Sequence, residues 1–240
     1  MAKAITQVLS KHIIGKSKTE VLEMFDAIAP NYDKFTSLFS FGIDHYWRES
    51  LTLELKKYKP HIILDLACGT GAQAKSLLKL NPQKLILLDA SESMIKIANE
   101  KLNYPNIEFY HSYAEYIPIA TSSVDAVSIS FGLRNFENSY MALLSSYRVL
   151  KNNGILTILE FGKPNKGFDL LYEIYQNTIM NAFADNILKY QNAFEYLKNT
   201  SSEFPYGKDL SAYIETLGFK TLKIRKMTLG IAYLYIFKKK

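Results

Sequence analysis

The sequence predicts an α/β protein built on a doubly wound, mostly parallel sheet of seven strands. Three observations carry that expectation. From residue 61 onward, short apolar runs alternate with stretches of helical periodicity. The first run, "HIILDLA" at 61–67, is continuously apolar, as a strand covered on both faces must be. It leads into "CGTGAQA" at 68–74, a glycine turn that opens a helix.

The elements follow in order. "GAQAKSLLKL" (71–80) is helical, with Leu77 and Leu78 toward the sheet. "KLILLDA" (84–90) is a second strand. "SESMIKIANEKL" (91–102) is a helix with Ser91 as N-cap and Met94, Ile95, Ala98 and Leu102 on one face. "IEFYH" (107–111) and "VDAVSISFG" (124–132) are strands three and four. "YMALLSSYRVL" (140–150) is a helix ended by "NNG" (152–154), and "ILTILEFG" (155–162) is strand five. Strands alternating with helices imply a parallel sheet with helices on both faces. "DLSAYIETLGF" (209–219) is a helix stopped by Gly218. "KTLKIRKMT" (220–228) and "IAYLYIFKK" (231–239) form a closing antiparallel pair joined near Gly230.

Two regions lie outside the alternation. Residues 20–58 are expected to be helical, broken by "APNYDKF" (29–35), with Trp47, Leu51 and Leu55 on one face of the last helix. Residues 168–200 read as an aromatic helical insertion. The organisation is one domain in four parts: an N-terminal helical lid and substrate region (1–58), a cofactor-binding core (59–164), an insertion at the substrate mouth (165–207), and a closing helix and strand pair (208–240).

Composition bounds the function. Apolar residues make up 48% of the chain, enough for a full core. No apolar run reaches the roughly 18 residues of a membrane span, and no signal-peptide pattern opens the chain. A single cysteine, Cys68, rules out an intrachain disulfide and reads as a small buried filler. No residue cluster has metal-ligand spacing, so no metal is expected. The net charge is +6, and after Glu215 there is no acid but Lys220, Lys223, Arg225, Lys226, Lys238, Lys239 and Lys240. That end reads as a solvated tail or as a contact for an anionic membrane surface.

The glycine turn holds the central question. Gly69, Gly71 and Ala74 fit G-x-G-x-x-A, and Asp89 ends the second strand 20 residues after Gly69, where a carboxylate binds the hydroxyls of a ribose. A nicotinamide cofactor would place its pyrophosphate on the helix N-terminus. S-adenosylmethionine carries an ammonium and a sulfonium instead, and the carboxylate of Asp65, four residues before Gly69, suits those cations. Thr70, Asp89 and Ser130 are expected to line the site, with Asp65 and the two glycines beneath. Tyr113 and Ala114, after the third strand, flank the position of an adenine.

Together, "MFDAIAPNYDKFTSLFSFGIDHYWR" (24–48), "LDLACGTG" (64–71), "LLDASESM" (87–94), "AEYIPI" (114–119), "SISFGLRNF" (128–136) and "YRVLKNNGILTILEFGKP" (147–164) resemble the ubiquinone/menaquinone biosynthesis C-methyltransferases. The resemblance implies a Rossmann-like class I methyltransferase fold. It also implies methylation of a ring carbon on a polyprenyl quinol with S-adenosylmethionine as donor. By resemblance, Tyr32 closes over the methionine end of the cofactor.

Such a transfer needs an electron-rich ring carbon, supplied once a ring hydroxyl loses or shares its proton. Arg134, in "GLRN" at the sheet mouth, is the candidate to stabilise the developing phenolate. The alternative is an arginine pinning the loop to a nearby carboxylate. Asn135 either orients the same hydroxyl or caps the next helix. His45 is a weaker candidate base, and His111 reads as structural. Two rivals stand beside this reading: a methyltransferase of another small or lipid-like substrate, and a binding protein without chemistry on the same fold. No basic–aromatic run suggests nucleic acid. A polyprenyl quinol stays in the bilayer, so the enzyme is expected in the cytoplasm at the inner membrane face, in weak contact with anionic lipid. The oligomeric state is open, a homodimer being one arrangement.

Overall fold

The computed structural model describes residues 18–40, 42–165, 178, 196, 200 and 204–240. The expected aromatic insertion falls almost wholly outside them. Seven strands form one sheet: β1 (Ile62–Leu66), β2 (Lys84–Asp89), β3 (Ile107–His111), β4 (Val124–Ser130), β5 (Leu150–Phe161), β6 (Phe219–Met227) and β7 (Ala232–Lys239). Their order is β3-β2-β1-β4-β5-β7-β6, with β7 alone antiparallel to its neighbours. The order reverses between β1 and β4, and there the two β–α turns diverge to leave a crevice at the carboxyl ends.

Seven α-helices are described: α1 (Lys18–Ile28), α2 (Tyr32–Phe39), α3 (Asp44–Lys56), α4 (Ala72–Leu77), α5 (Glu92–Lys101), α6 (Ser139–Val149) and α7 (Lys208–Glu215). Alternate side chains of each central strand enter two cores. One holds Leu64, Leu66, Ile86, Leu88, Val127 and Ile129 against Leu143 and Val149 of α6 and Leu210 and Ile214 of α7. The other holds Ile63, Leu85, Leu87 and Leu234 against α3, α4 and α5. Trp47, Leu51 and Leu55 on α3 are fully buried there, each worth roughly 1.5–3 kcal/mol of transfer free energy. The indole N–H of Trp47 donates to Thr228 Oγ1 at 2.8 Å, fastening α3 to the β6–β7 turn.

Several boundaries differ from the sequence reading. The lid break is shorter than "APNYDKF": only Ala29–Asn31 leave the α-helix, as a 3-10 turn, and Tyr32 begins α2. β4 stops at Ser130 because Phe131 takes a left-handed φ of +59°. β5 starts at once after α6, and its pairing with β4 skips from Leu150 to Ile155. The "NNG" read as a helix terminator is a bulge inside the strand, with Asn153 at φ +64°.

The lysine-rich end is not a free tail. Lys238 and Lys239 belong to β7. The Lys239 ammonium is buried under the end of α6, donating to Tyr147 O and Leu150 O at 2.7 Å each and lying 4.5 Å from the Tyr147 ring centroid. It serves the carbonyls that a helix C-terminus leaves without partners. Replacing it leaves those carbonyls unpaired. Lys239→Met is expected to cost about 1–3 kcal/mol in urea unfolding at unchanged slope, whereas Lys238→Met, one residue earlier and paired only through its backbone, should stay within about 0.5 kcal/mol.

Candidate active site

The cleft lies at the carboxyl ends of β1, β2 and β4, roofed by α1 and the start of α2, and encloses about 110 Å³. Its floor is the glycine turn. Gly71 sits at φ +85°, and a Cβ there would stand 2.6 Å from Leu102 Cδ1, so the turn rests directly on the end of α5. One carboxylate fixes the turn. Asp89 Oδ2 accepts from Gly69 N at 2.8 Å and Oδ1 accepts from Ser91 N at 2.9 Å. Each oxygen keeps acceptor capacity beyond these bonds, and Asp89 lines the cleft. Burial raises its pKa, and the backbone donors at Ser91 and Gly69 work against that rise.

Asp65 lies beneath this floor, 1% exposed, and does not line the cleft. Its Oδ2 has no hydrogen-bond partner among the described residues. Burial pushes its carboxyl up to about 7, partly offset by the charge of Arg48. A buried carboxylate without a cation is expensive, and a cationic ligand above it removes the expense.

The sequence-predicted residues divide into two groups. Tyr32, Gly69, Asp89, Tyr113, Ala114, Ser130 and Asn135 line the cleft. Asp65, Thr70, Gly71 and Arg134 do not. Thr70 was expected on the wall, but its hydroxyl turns to the lid and donates to Asp33, whose other oxygen meets Lys101 Nζ at 2.6 Å. Lys101 and Thr70 hold the Asp33 carboxyl below its ordinary pKa despite burial. Ser130 is aimed by a relay in which its hydroxyl donates to Gln73 Oε1 at 3.1 Å and Gln73 donates to Thr52 Oγ1 at 3.2 Å.

Arg134 is buried, and its guanidinium is held by a carboxylate. Nη1 donates to Glu160 Oε1 at 2.5 Å and to Phe131 O at 2.9 Å, and the group lies 5.0 Å from the Phe161 ring centroid. The pinning role is therefore real, and Arg134 reaches the cleft only through its neighbours. Asn135 does line the cleft. Its amide donates to Phe131 O at 3.3 Å, and its carbonyl accepts from Tyr196 OH at 3.2 Å. The N-cap of α6 is Asn138, so Asn135 is not a helix cap. Cys68 is a buried filler. His45 is exposed and does not line the cleft, and His111 is exposed with Nε2 3.0 Å from Ala90 O. Among the described residues no three His, Cys, Asp or Glu gather as metal ligands.

Sequence reasoning expected a helical lid but did not name the residues of α1 that roof the cleft. Val21, Leu22 and Phe25 of α1 cover the cleft, and Asp26 accepts from Ser91 Oγ at 2.5 Å. The available signal was the apolar spacing Val21, Met24, Phe25, Ile28 along one face of the helix. Met94, read only at helical spacing, and Phe136, read only within "SISFGLRNF", are further walls.

These features fit an adenosyl ligand bearing positive charge: a buried carboxylate with one unpartnered oxygen below, a two-oxygen acceptor at the end of β2, and apolar walls from Leu88, Met94 and Ala114. The Asp65 pKa gives a test. Because it is raised in the folded, ligand-free state, the stability tied to Asp65 is complete below the ordinary carboxylate range near 4 and is lost as pH rises through about 7. Asp65→Asn, neutral at every pH, is expected to raise the melting temperature of the ligand-free protein at pH 8, to change it little at pH 5, and to weaken binding of S-adenosylmethionine by calorimetry.

The model of the ubiE/COQ5 methyltransferase family matches residues 13–239. The chain is 35% identical over 227 residues to the demethylmenaquinone methyltransferase of Bacteroides fragilis, covering 92% of this chain and 93% of that one. It is 35% identical over 237 residues to the ubiquinone/menaquinone biosynthesis C-methyltransferase UbiE of Campylobacter jejuni, covering 93% and 99%. A solved S-adenosylmethionine-dependent methyltransferase of Thermotoga maritima, a possible histamine N-methyltransferase, superimposes with a TM-score of 0.62 at 16% identity over 92% of this chain and 100% of that one. At that identity the likeness concerns the fold alone. With a family match across nearly its whole length and relatives above 30% identity, the chain belongs to the ubiE/COQ5 methyltransferase family and is an S-adenosylmethionine-dependent methyltransferase.

Proposed function

We propose that this enzyme methylates a ring carbon of a polyprenyl quinol, demethylmenaquinol or a methoxy-polyprenyl-benzoquinol, in respiratory quinone biosynthesis. The observation that carries the reading is the mouth of the cleft after β4, where Phe131, Asn135 and Phe136 gather under Phe25 of the lid. Tyr196, from the insertion, joins that mouth: its hydroxyl reaches Asn135, and its ring packs edge-on against Phe25 at 6.4 Å. An aromatic entrance with one amide suits a flat ring carrying an apolar chain better than a charged polymer.

Bound S-adenosylmethionine supplies a methyl group on a cationic sulfur. Asp65 would attract the cationic methionyl part of the ligand by charge, and Asp89 would accept from the ribose hydroxyls. Tyr32 and the α1 roof keep water away from the transfer. Tyr113 and Ala114 flank the base. At the mouth, Asn135 orients the ring hydroxyl. Burial pushes the Tyr196 hydroxyl up to about 12, so it stays protonated and keeps donating to Asn135. Arg134, fastened to Glu160, fixes the Phe131–Phe136 turn and places a positive charge behind Asn135, where it favours the phenolate.

The substrate's location sets where the enzyme works. Among the described residues no helix is long and apolar enough to cross a membrane. In this proposal the chain meets its quinol at the surface, by weak contact with anionic lipid on the cytoplasmic face. The basic residues of β6, the edge strand, support that contact, although Lys223 is paired to Glu54 at 2.6 Å and Arg225 to the Tyr46 hydroxyl at 3.0 Å.

Mass analysis of membrane quinones from cells lacking the gene tests the function. A quinone one methyl short is expected to accumulate, and its nucleus names the substrate; an unchanged quinone pool removes the proposal. Arg134→Lys keeps the charge and loses the planar guanidinium whose Nη1 donates to both Glu160 and Phe131. It is expected to lower kcat roughly 10²-fold with little change in S-adenosylmethionine affinity, and equal turnover would make Arg134 purely structural.

A further inference from the structure

Behind the cleft lies a second, smaller cavity of about 20 Å³. Tyr32 and Phe131 line both, so the two adjoin. Its other walls include Asp44 and Arg48 of α3, with Arg134 opposite. Arg48 is 6% exposed. Its guanidinium lies 5.3 Å from the Phe131 ring centroid, and its Nε stands 3.7 Å from Asp44 Oδ2, beyond hydrogen-bond distance. That Nε is buried with no hydrogen-bond partner among the described residues. Asp44 is itself engaged by Ser40, whose hydroxyl donates to Oδ1 at 3.1 Å.

Arg48 is thus a nearly buried cation whose ion pair with Asp44 leaves its Nε without a hydrogen bond. Asp65 is a buried anion with an unpartnered oxygen. The two are near enough for the charge of Arg48 to act on Asp65, yet they form no ion pair. Two opposite buried charges, each short of a partner and not paired together, are complementary to a zwitterion. An α-amino acid is such a group, with ammonium and carboxylate on one carbon. Arginine matches a carboxylate through its planar fork. A cavity of this size holds about one water-sized polar group and excludes a ring, so a quinol head does not fit in it.

We propose that Arg48 binds the α-carboxylate of the methionyl end of S-adenosylmethionine in this side cavity, while Asp65, beneath the cleft floor, attracts the ammonium by its charge. The inference rests on the larger cleft being the S-adenosylmethionine site. It assigns to α3 the recognition of the one anionic group on the cofactor.

The test compares two ligands by titration calorimetry: S-adenosylmethionine and its decarboxylated analogue, which keeps the adenosyl group, sulfonium and amine but lacks the carboxylate. The wild-type enzyme is expected to favour the complete cofactor by roughly 10- to 100-fold, the range of a charge-assisted hydrogen bond. In Arg48→Gln the two ligands should bind within about threefold of each other, through loss of affinity for the complete cofactor alone. Asp44→Asn, which removes the neighbour but keeps the guanidinium, should retain the wild-type preference. Should Arg48→Gln fail to fold by circular dichroism, Arg48→Lys, charged but without the fork, should show a preference well below wild type. Full discrimination in a folded Arg48 variant, or equal loss of both ligands, overturns the assignment. A wild-type enzyme that binds neither ligand instead overturns the cofactor site on which it rests.

Discussion

The cleft depends on one carboxylate at the end of one strand. Asp89 joins the backbone of the glycine turn to the backbone that opens α5, using one oxygen for each. Without it the N–H of Gly69, a residue at φ +54°, and that of Ser91 would be buried without partners, at a cost of about 1–3 kcal/mol apiece. The same group faces the space in which a ribose would lie. Fold and ligand recognition therefore draw on different lone pairs of a single side chain, which ties the shape of the site to the register of β2.

The lid is held to this frame by polar contacts across long sequence separations. Asp26 meets Ser91, Asp33 meets Thr70 and Lys101, and Trp47 meets Thr228. The first two tie the roof to the turns flanking the cleft. Ser91 is the joint of the whole arrangement, since its backbone N–H serves Asp89 while its hydroxyl caps α5 through Met94 N and donates to Asp26. A roof fastened at the ligand-facing turns excludes water from a reaction at sulfur without needing a large buried area.

The residues that break the usual rules of a core gather at the same end of the sheet. Asp65, Arg48 and Arg134 each leave a buried polar atom unpaired among the described residues, and Phe131 holds a left-handed backbone between them. Elsewhere buried charges are well served, as with Lys239 under α6. Such costs persist where function needs them, because a site poised for a charged ligand is unsatisfied until that ligand arrives.

Much of this was legible in the sequence. Continuous apolar runs specify strands buried on both faces, helical spacing marks the packing faces, and the interval from Asp65 through Gly69 to Asp89 marks the cofactor turn, because these are local periodicities and short spacings. The sequence also carried the family, through motifs that span residues 24–164. What it could not decide was which polar groups meet. Arg134 finds Glu160 across 26 residues, Thr70 finds Asp33 across 37, and Tyr196 finds Asn135 across 61. A hydrogen-bonding side chain carries no record of its distant partner, so only the tertiary structure turned Thr70 from the cleft to the lid, tucked the C-terminal lysines into the last strand, and left Arg48 and Asp65 each with one buried atom that no described residue satisfies.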